Sequence, residues 1–174
     1  IASCLVGSEM CIRDRFNTAF GFVPIDKRRT ISKPRKSGIT MVSDYQLGLA
    51  SLSDLIEVAG HYIDLFKIAT GTSRLFEKTH LQAKIEMLRA NDIRPFLGGQ
   101  FQEYVLHTMG VDAMSRHLSE ARALGFDIIE ISDNMVQLGQ GLRQQLFDMV
   151  RDQGMNPVGA VSYTHLTLPT KRRV

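Results

Sequence analysis

Lys67 is the side chain whose placement most needs a chemical explanation. It lies inside the apolar run from Ile63 to Thr70, which reads as a buried parallel strand. An ammonium between Phe66 and Ile68 is costly to desolvate unless it is paired or used. The run ends in Thr70, Gly71, Thr72 and Ser73. These offer three hydroxyls and a flexible backbone whose N–H groups suit an anion. The plainer alternative is a structural Lys in a salt bridge beside an ordinary turn. Other polar groups fall at comparable places. Asp44 closes an earlier strand, Gly98 and Gly99 follow a later one with Glu103 one turn beyond, and Glu130, Ser132, Asp133 and Asn134 close another. Oxygen ligands without cysteine and without a paired His motif favour Mg²⁺ over zinc. Against this, Asp44 and Asp133 suit helix N-caps and Glu103 suits a surface. His61, His80, His107 and His117 fall on helices or helix edges and read as surface or packing residues.

The elements that must carry these groups repeat. Strands are expected at Gly38 to Asp44, Ile63 to Thr70, Ile93 to Gly99, Phe126 to Ser132 and from about Pro157. Pro95 is a mild objection to the third. Between them, Leu52, Leu55, Val58 and Tyr62 mark one helix, with Ser51 or Ser53 as its N-cap. Leu81, Ile85 and Leu88 mark a second. A longer helical region breaks at Gly110 and stops at Gly125, and Leu142, Leu146 and Val150 mark the last. A β/α unit every ~30 residues predicts a right-handed parallel α/β fold. The pattern fits the N-terminal half of a (β/α)8 barrel, which takes about 250 residues. A complete doubly wound sheet is the alternative, although no G-x-G-x-x-G follows the first strand. In either fold the chemistry belongs at the C-terminal ends of the strands.

The two ends of the chain fit no such pattern. Met10 to Arg15 and Val161 to His165 can be encoded by one DNA sequence read on opposite strands. That is the relation expected of a translated sequencing-adapter repeat. Residues 1–15 and 161–174 are therefore expected to be foreign to the protein, leaving 16–160 as a partial barrel domain. Both cysteines, Cys4 and Cys11, lie in the first of these ends, so no disulfide or cysteine–metal site is expected, and cytoplasm is the default compartment. Setting aside their five basic and two acidic residues from totals of 21 and 18 leaves equal numbers of each sign. The pI near 9.0 then argues for no nucleic-acid partner. The basic run from Lys27 to Lys36 reads as a solvated arm, because Pro34 interrupts it and no aromatics interleave. No apolar run reaches the ~20 residues of a membrane span.

In combination the motifs resemble the phosphosulfolactate synthase family. The resemblance rests on Lys33 to Asp44, on Tyr62 to Lys67 with Gly71 to Ser73, on Gly98 and Gly99 with Glu103, and on Gly125 to Asp133. It implies a (β/α)8 barrel that adds sulfite to phosphoenolpyruvate with Mg²⁺. The product, phosphosulfolactate, feeds coenzyme M synthesis in methanogens and sulfolactate formation in some bacteria. On this resemblance Lys67 is the expected acid, paired with Glu130. Asp44, Glu103 and Asp133 are the expected metal ligands, and Gly71, Thr72, Ser73, Gly98 and Gly99 would hold anionic substrate groups. Expected partners are small anions, with no nucleic acid and no membrane, and a homo-oligomer is left open. The loops after the second and third strands depart from the family pattern, at Ile68-Ala69-Thr70 and Gln100-Phe101-Gln102. Two alternatives stand beside this one. The first is a non-catalytic, heat-stress-associated relative of the same barrel, and the second an aldolase-like barrel in which Lys67 forms a Schiff base. Alternation places Lys67 and Glu130 on one face of the sheet, near one interior layer, each offsetting the other's desolvation.

Overall fold

The computed structural model describes residues 19–24, 28, 30 and 32–160. The expectation about residues 1–15 and 161–174 concerns residues outside that description. The chain divides into two units, residues 1–30 and 31–174. In the first, the Val23 N–H donates to the Phe20 carbonyl at 2.9 Å, and the Phe20 and Phe22 rings meet edge to face.

In the second unit strands and helices alternate. The order is β1 (Met41–Asp44), α1 (Leu49–Ala59), β2 (Leu65–Ile68), α2 (Lys78–Ala90), β3 (Arg94–Leu97), α3 (Gly99–Met109), α4 (Ala113–Leu124), β4 (Ile128–Ser132), α5 (Gln140–Asp152) and β5 (Asn156–Ala160). Single tight turns of helix cover Gly60–Tyr62 and Thr72–Arg74. Every strand pairing is parallel, and the spatial order is β1-β2-β3-β4-β5. A doubly wound sheet reverses its strand order at a switch point. Here each new strand adds to the same side, as in successive units of a (β/α) barrel.

One face of the sheet packs on the helices. Phe66, Ile68, Leu97, Ile129 and Ile131 form a core with Leu52, Leu81, Ile85, Leu88, Met114, Leu118, Leu146 and Val150. Burying each such side chain contributes about 1.5–3 kcal/mol. Phe66 and Ile68 are fully buried, so the two-residue alternation turns Leu65 and Lys67 to the opposite, inner face.

Pro95 does sit inside the sheet. Its carbonyl accepts from Asp127 N–H on the β4 side. In a parallel strand the N and O of one residue face the same neighbour, so the missing N–H faces the segment before β4. There the Gly125 carbonyl takes Arg89 instead. Helix α1 starts earlier than expected, after Gly48, and neither Ser51 nor Ser53 caps it. The Asp44 carboxylate accepts from Gln46 and Leu47 N–H at 2.9 and 2.7 Å. The chain is thereby turned into the helix directly after the strand. Gly110 and Gly125, both at positive φ, end α3 and α4 as expected.

The basic run is more than a solvated arm. Lys33 Nζ donates to the Gly60 carbonyl at 2.7 Å and to Asn91 at 3.2 Å, at the C-terminal ends of α1 and α2. Arg35 donates to the His61 carbonyl and pairs with Asp64, its own side chain only 4 % exposed. Cations at helix C-termini satisfy the last carbonyls and complement the dipole. Burial lowers the Lys33 pKa, with Asp64 opposing and Arg35 adding to the shift. No helix among the described residues is long and apolar enough to cross a membrane.

Candidate functional site at the strand ends

Lys67 and Glu130 meet. Lys67 Nζ lies 2.8 Å from Oε1 and 2.7 Å from Oε2 of Glu130. The strands that carry them are not neighbours, because β3 runs between. Lys67 is in register with Phe96 and Phe96 with Ile128, so the ammonium must reach diagonally across β3. It passes the Phe96 ring, 5.7 Å from its centroid. Two glycines make the crossing possible. A Cβ on Gly98 would stand 3.3 Å from Lys67 Cε and 3.0 Å from the Ile68 carbonyl oxygen. A Cβ on Gly99 would stand 2.5 Å from Ser132 Oγ and 3.0 Å from Glu130 Cγ. The Gly99 N–H donates to Glu130 Oε2 at 2.6 Å, at the N-terminus of α3. Glu130 is thus held by an ammonium and by a helix N-terminus, both favourable to a carboxylate. Gly98 and Gly99 serve this pair by leaving space, and the Gly99 N–H is already committed.

The remaining expected ligands lie elsewhere. Asp44 is on the helix face, since Ser43 is in register with Lys67 and Asp44 with Ile68. There it is fully buried and paired with Lys84. Lys84 also donates to the Leu47 carbonyl at 2.7 Å and lies 4.7 Å from the centre of the Phe76 ring. Glu103 is fully buried in α3, not on a surface. One oxygen accepts from Ser132 Oγ, and the other from the N–H groups of Met135 and Val136. Burial alone would raise the Glu103 pKa. The bonds from Ser132 and from the Met135, Val136 and Asn134 N–H groups outweigh it, and the pKa is lowered. Glu103 therefore fastens the loop after β4 to α3. Asp133 pairs with Arg143 of α5 and caps no helix.

These positions bear on the expected metal. Asp44, Glu103 and Asp133 each hold a separate partner, and Asp44 faces away from Lys67. Among the described residues no three His, Cys, Asp or Glu side chains stand together as a metal-binding group. The three carboxylates expected as ligands are each engaged with other partners in this arrangement. The hydroxyl loop is also turned differently from expectation. Thr72 Oγ1 donates to the Ala69 carbonyl at 2.8 Å. Ser73 is buried with Oγ unbonded, on the helix side of the sheet beside Leu81, Leu97 and Phe101. Gly71, at φ 78°, makes the turn that a side chain would strain.

Lys84 and Gln102 were not foreseen. Lys84 falls between Leu81, Ile85 and Leu88 at helical spacing, so it sits within the buried stripe of α2. That position marks it as a charge needing a partner. Gln102, 1 % exposed, accepts from Ser132 N–H at 3.3 Å and has no comparable signal in the sequence. His80 stacks on Phe76 and His117 meets Phe101 edge-on, both in packing roles.

Barrel enzymes place their chemistry at the C-terminal ends of the strands, and Lys67 and Glu130 meet there. Residues 28–168 match the family model described as (2R)-phospho-3-sulfolactate synthase (ComA), and the chain belongs to that family. The match runs past Ala160, where the foreign segment was expected to begin. The chain is 38% identical over 122 residues to a phosphosulfolactate synthase of Methanothermobacter thermautotrophicus, covering 70% of this chain and 46% of the relative. It is 30% identical over 117 residues to the phosphosulfolactate synthase of Methanocaldococcus jannaschii, covering 67% and 45%. It is 25% identical over 146 residues to the Arabidopsis thaliana protein HEAT-STRESS-ASSOCIATED 32, covering 81% and 50%. The chain spans about half the length of the curated relatives it matches.

Proposed function

We propose that this chain carries the acid half of a site that adds sulfite to phosphoenolpyruvate. The observation that supports this best is the Lys67–Glu130 pair, held on the inner face at the strand ends at 2.7 Å. In the proposed step the sulfur lone pair of sulfite forms a bond to the methylene carbon. The double-bond electrons move to the neighbouring carbon and its carboxylate. Lys67 then delivers a proton to that carbon, giving phosphosulfolactate with no leaving group. Glu130 keeps the ammonium aimed across β3 and offsets its desolvation, while the Gly99 N–H fixes the carboxylate. Magnesium is retained as an expected requirement of the rate, since a divalent cation neutralises the charge of such a substrate. No residue is assigned to it. A cytoplasmic setting belongs to the same proposal.

The test uses the chain joined to the C-terminal portion of the Methanothermobacter relative. Phosphoenolpyruvate-dependent loss of sulfite is expected, with EDTA abolishing it. Lys67→Met should lower turnover by at least about 100-fold with the fold retained, as for loss of an acid catalyst. Undiminished turnover would remove Lys67 from the mechanism. A second reading, a non-catalytic relative, draws on the similarity to the Arabidopsis protein. It predicts no loss of sulfite under any condition. A Schiff base at Lys67 predicts borohydride trapping of a carbonyl substrate, which the addition mechanism does not.

A further inference from the structure

A cleft of about 360 Å³ opens at the C-terminal end of β1, lined by Ser43, Asp44, Tyr45, Gln46 and Leu47. That volume suits a small-molecule site. Ser43 is exposed and in register with Lys67. The two side chains therefore share the inner face on neighbouring strands, whose backbones run about 5 Å apart. Asp44 borders the same cleft, but its carboxylate is fully buried on the helix face with Lys84. The Gln46 and Leu47 N–H groups are committed to that carboxylate. The bond holds Gln46 at φ 132°, a region that favours glycine, and strain of this kind gathers at functional sites. The side-chain donors left to the cleft are neutral ones, on Ser43, Tyr45 and Gln46.

We propose that Ser43 binds the carboxylate of the substrate and that the end of β1 is the subsite for that group, a role that rests on the addition assigned above to the strand ends. Lys67 Nζ lies over the Phe96 ring of β3, beside Glu130. The carbon that takes its proton also carries the substrate carboxylate. Toward β4 that group would meet the Glu130 charge. Toward β1 the inner face offers only Met41 and Ser43. Repulsion on one side and a neutral donor on the other turn the carboxylate to Ser43. The reach is sufficient. A carbon about 3–3.5 Å from the ammonium, a carboxylate oxygen about 2.4 Å further and a hydrogen bond of about 2.8 Å span roughly 8–9 Å. From β1 to a point over β3 is one to two strand spacings, roughly 5–10 Å. Neutral donors serve a carboxylate monoanion, whereas a phosphate dianion calls for a cation or a row of free N–H groups. Among the described residues the cleft is lined by no Lys or Arg, and its Gln46 and Leu47 N–H groups are taken. Negative charge gathers on the carboxylate before the proton arrives, so the Ser43 bond strengthens in the transition state.

The test has a binding arm and a kinetic arm. In the first, the isotope-labelled 174-residue chain is titrated with phosphoenolpyruvate and, in parallel, with vinyl phosphate, which lacks the carboxylate. Saturable shifts of the Ser43 amide signal are expected with phosphoenolpyruvate. Ser43→Ala should weaken that binding about tenfold, the loss of one hydrogen bond to a charged group, and leave the affinity for vinyl phosphate unchanged. Ser43→Thr, which keeps the hydroxyl, should restore most of the loss. In the second arm, the chain joined to the C-terminal portion of the Methanothermobacter relative should lose kcat about tenfold in Ser43→Ala, with KM changing less. Circular dichroism of each variant checks that the helices persist. No saturable shift, unchanged phosphoenolpyruvate affinity in Ser43→Ala, an equal loss for vinyl phosphate or an unchanged kcat/KM would each overturn the proposal. Carboxylate-selective binding through Ser43 in a joined chain that consumes no sulfite would support the subsite and overturn the addition reaction instead.

Discussion

Replacing Lys84 with Met keeps most of the stem that packs beside Phe66 and Phe76 and removes only the ammonium. Both partners of the Lys84–Asp44 pair are fully buried. The variant therefore leaves a carboxylate in the core with two N–H donors, from Gln46 and Leu47, and no countercharge. Breaking a buried pair from one side typically costs about 3–5 kcal/mol, because the remaining charge is uncompensated. The Leu47 carbonyl loses a donor as well. Against a total stability of about 5–15 kcal/mol, this is a large fraction. With a urea slope of about 2 kcal/mol per molar, the midpoint should fall by about 2 M. The decisive comparison is the double variant Lys84→Met with Asp44→Asn. Asn keeps an acceptor for the two N–H groups and carries no charge, so at least about 2 kcal/mol should return. Urea unfolding of the wild type, both single variants and the double variant completes the cycle. A loss under about 1 kcal/mol in Lys84→Met, or a double variant no more stable than the single, would refute the reasoning.

Burial lowers the His117 pKa from 6.5 to about 4. The unfolded chain takes up this proton as pH falls through 6.5, while the folded chain refuses it until about pH 4. Stability should therefore fall by up to about 3 kcal/mol between those values. His117→Gln should flatten that part of the stability profile, and an unchanged slope would exclude His117 as its source. Gly99→Ala drives a methyl to 2.5 Å from Ser132 Oγ, and should destabilise by about 1–3 kcal/mol as an overpacked site. Denaturant midpoints check this, and a neutral effect would mean that Ser132 moves aside freely. Among the described residues β1 and β5 each pair on one side only, so the 174-residue chain should self-associate through these edges. Light scattering coupled to gel filtration checks it, and a concentration-independent monomer with a sharp thermal transition would contradict it.

The order of units and the Lys67–Glu130 pair were legible because both follow from alternation. Lys67 stands between two apolar neighbours, which fixes its face, and Glu130 has the same parity within β4. Asp44 was misplaced because β1 offers no such contrast. Met41 and Ser43 on one face and Val42 and Asp44 on the other are each half apolar, and only the register with β2 decides between them. Glu103 was legible as a position but not as a role. Its partners are Ser132 and the backbone of the loop after β4, and no local pattern in α3 announces them. Lys33 and Arg35 bond carbonyls at the ends of helices that come later in the chain. A sequence shows charges but not which carbonyls lack a donor.

The Lys67–Glu130 pair joins residues 63 positions apart and skips a strand. Neither β2 with β3 nor β3 with β4 suffices to make it, so its contact order is high for a single side-chain bond. It can close only after three consecutive strands have docked in register with the twist that brings their ends together. Partly assembled sheets would present a solitary ammonium and a solitary carboxylate, each better hydrated apart. The proposed acid is thus late to mature along the folding route, and its correct orientation reports that the neighbouring β/α units have already assembled.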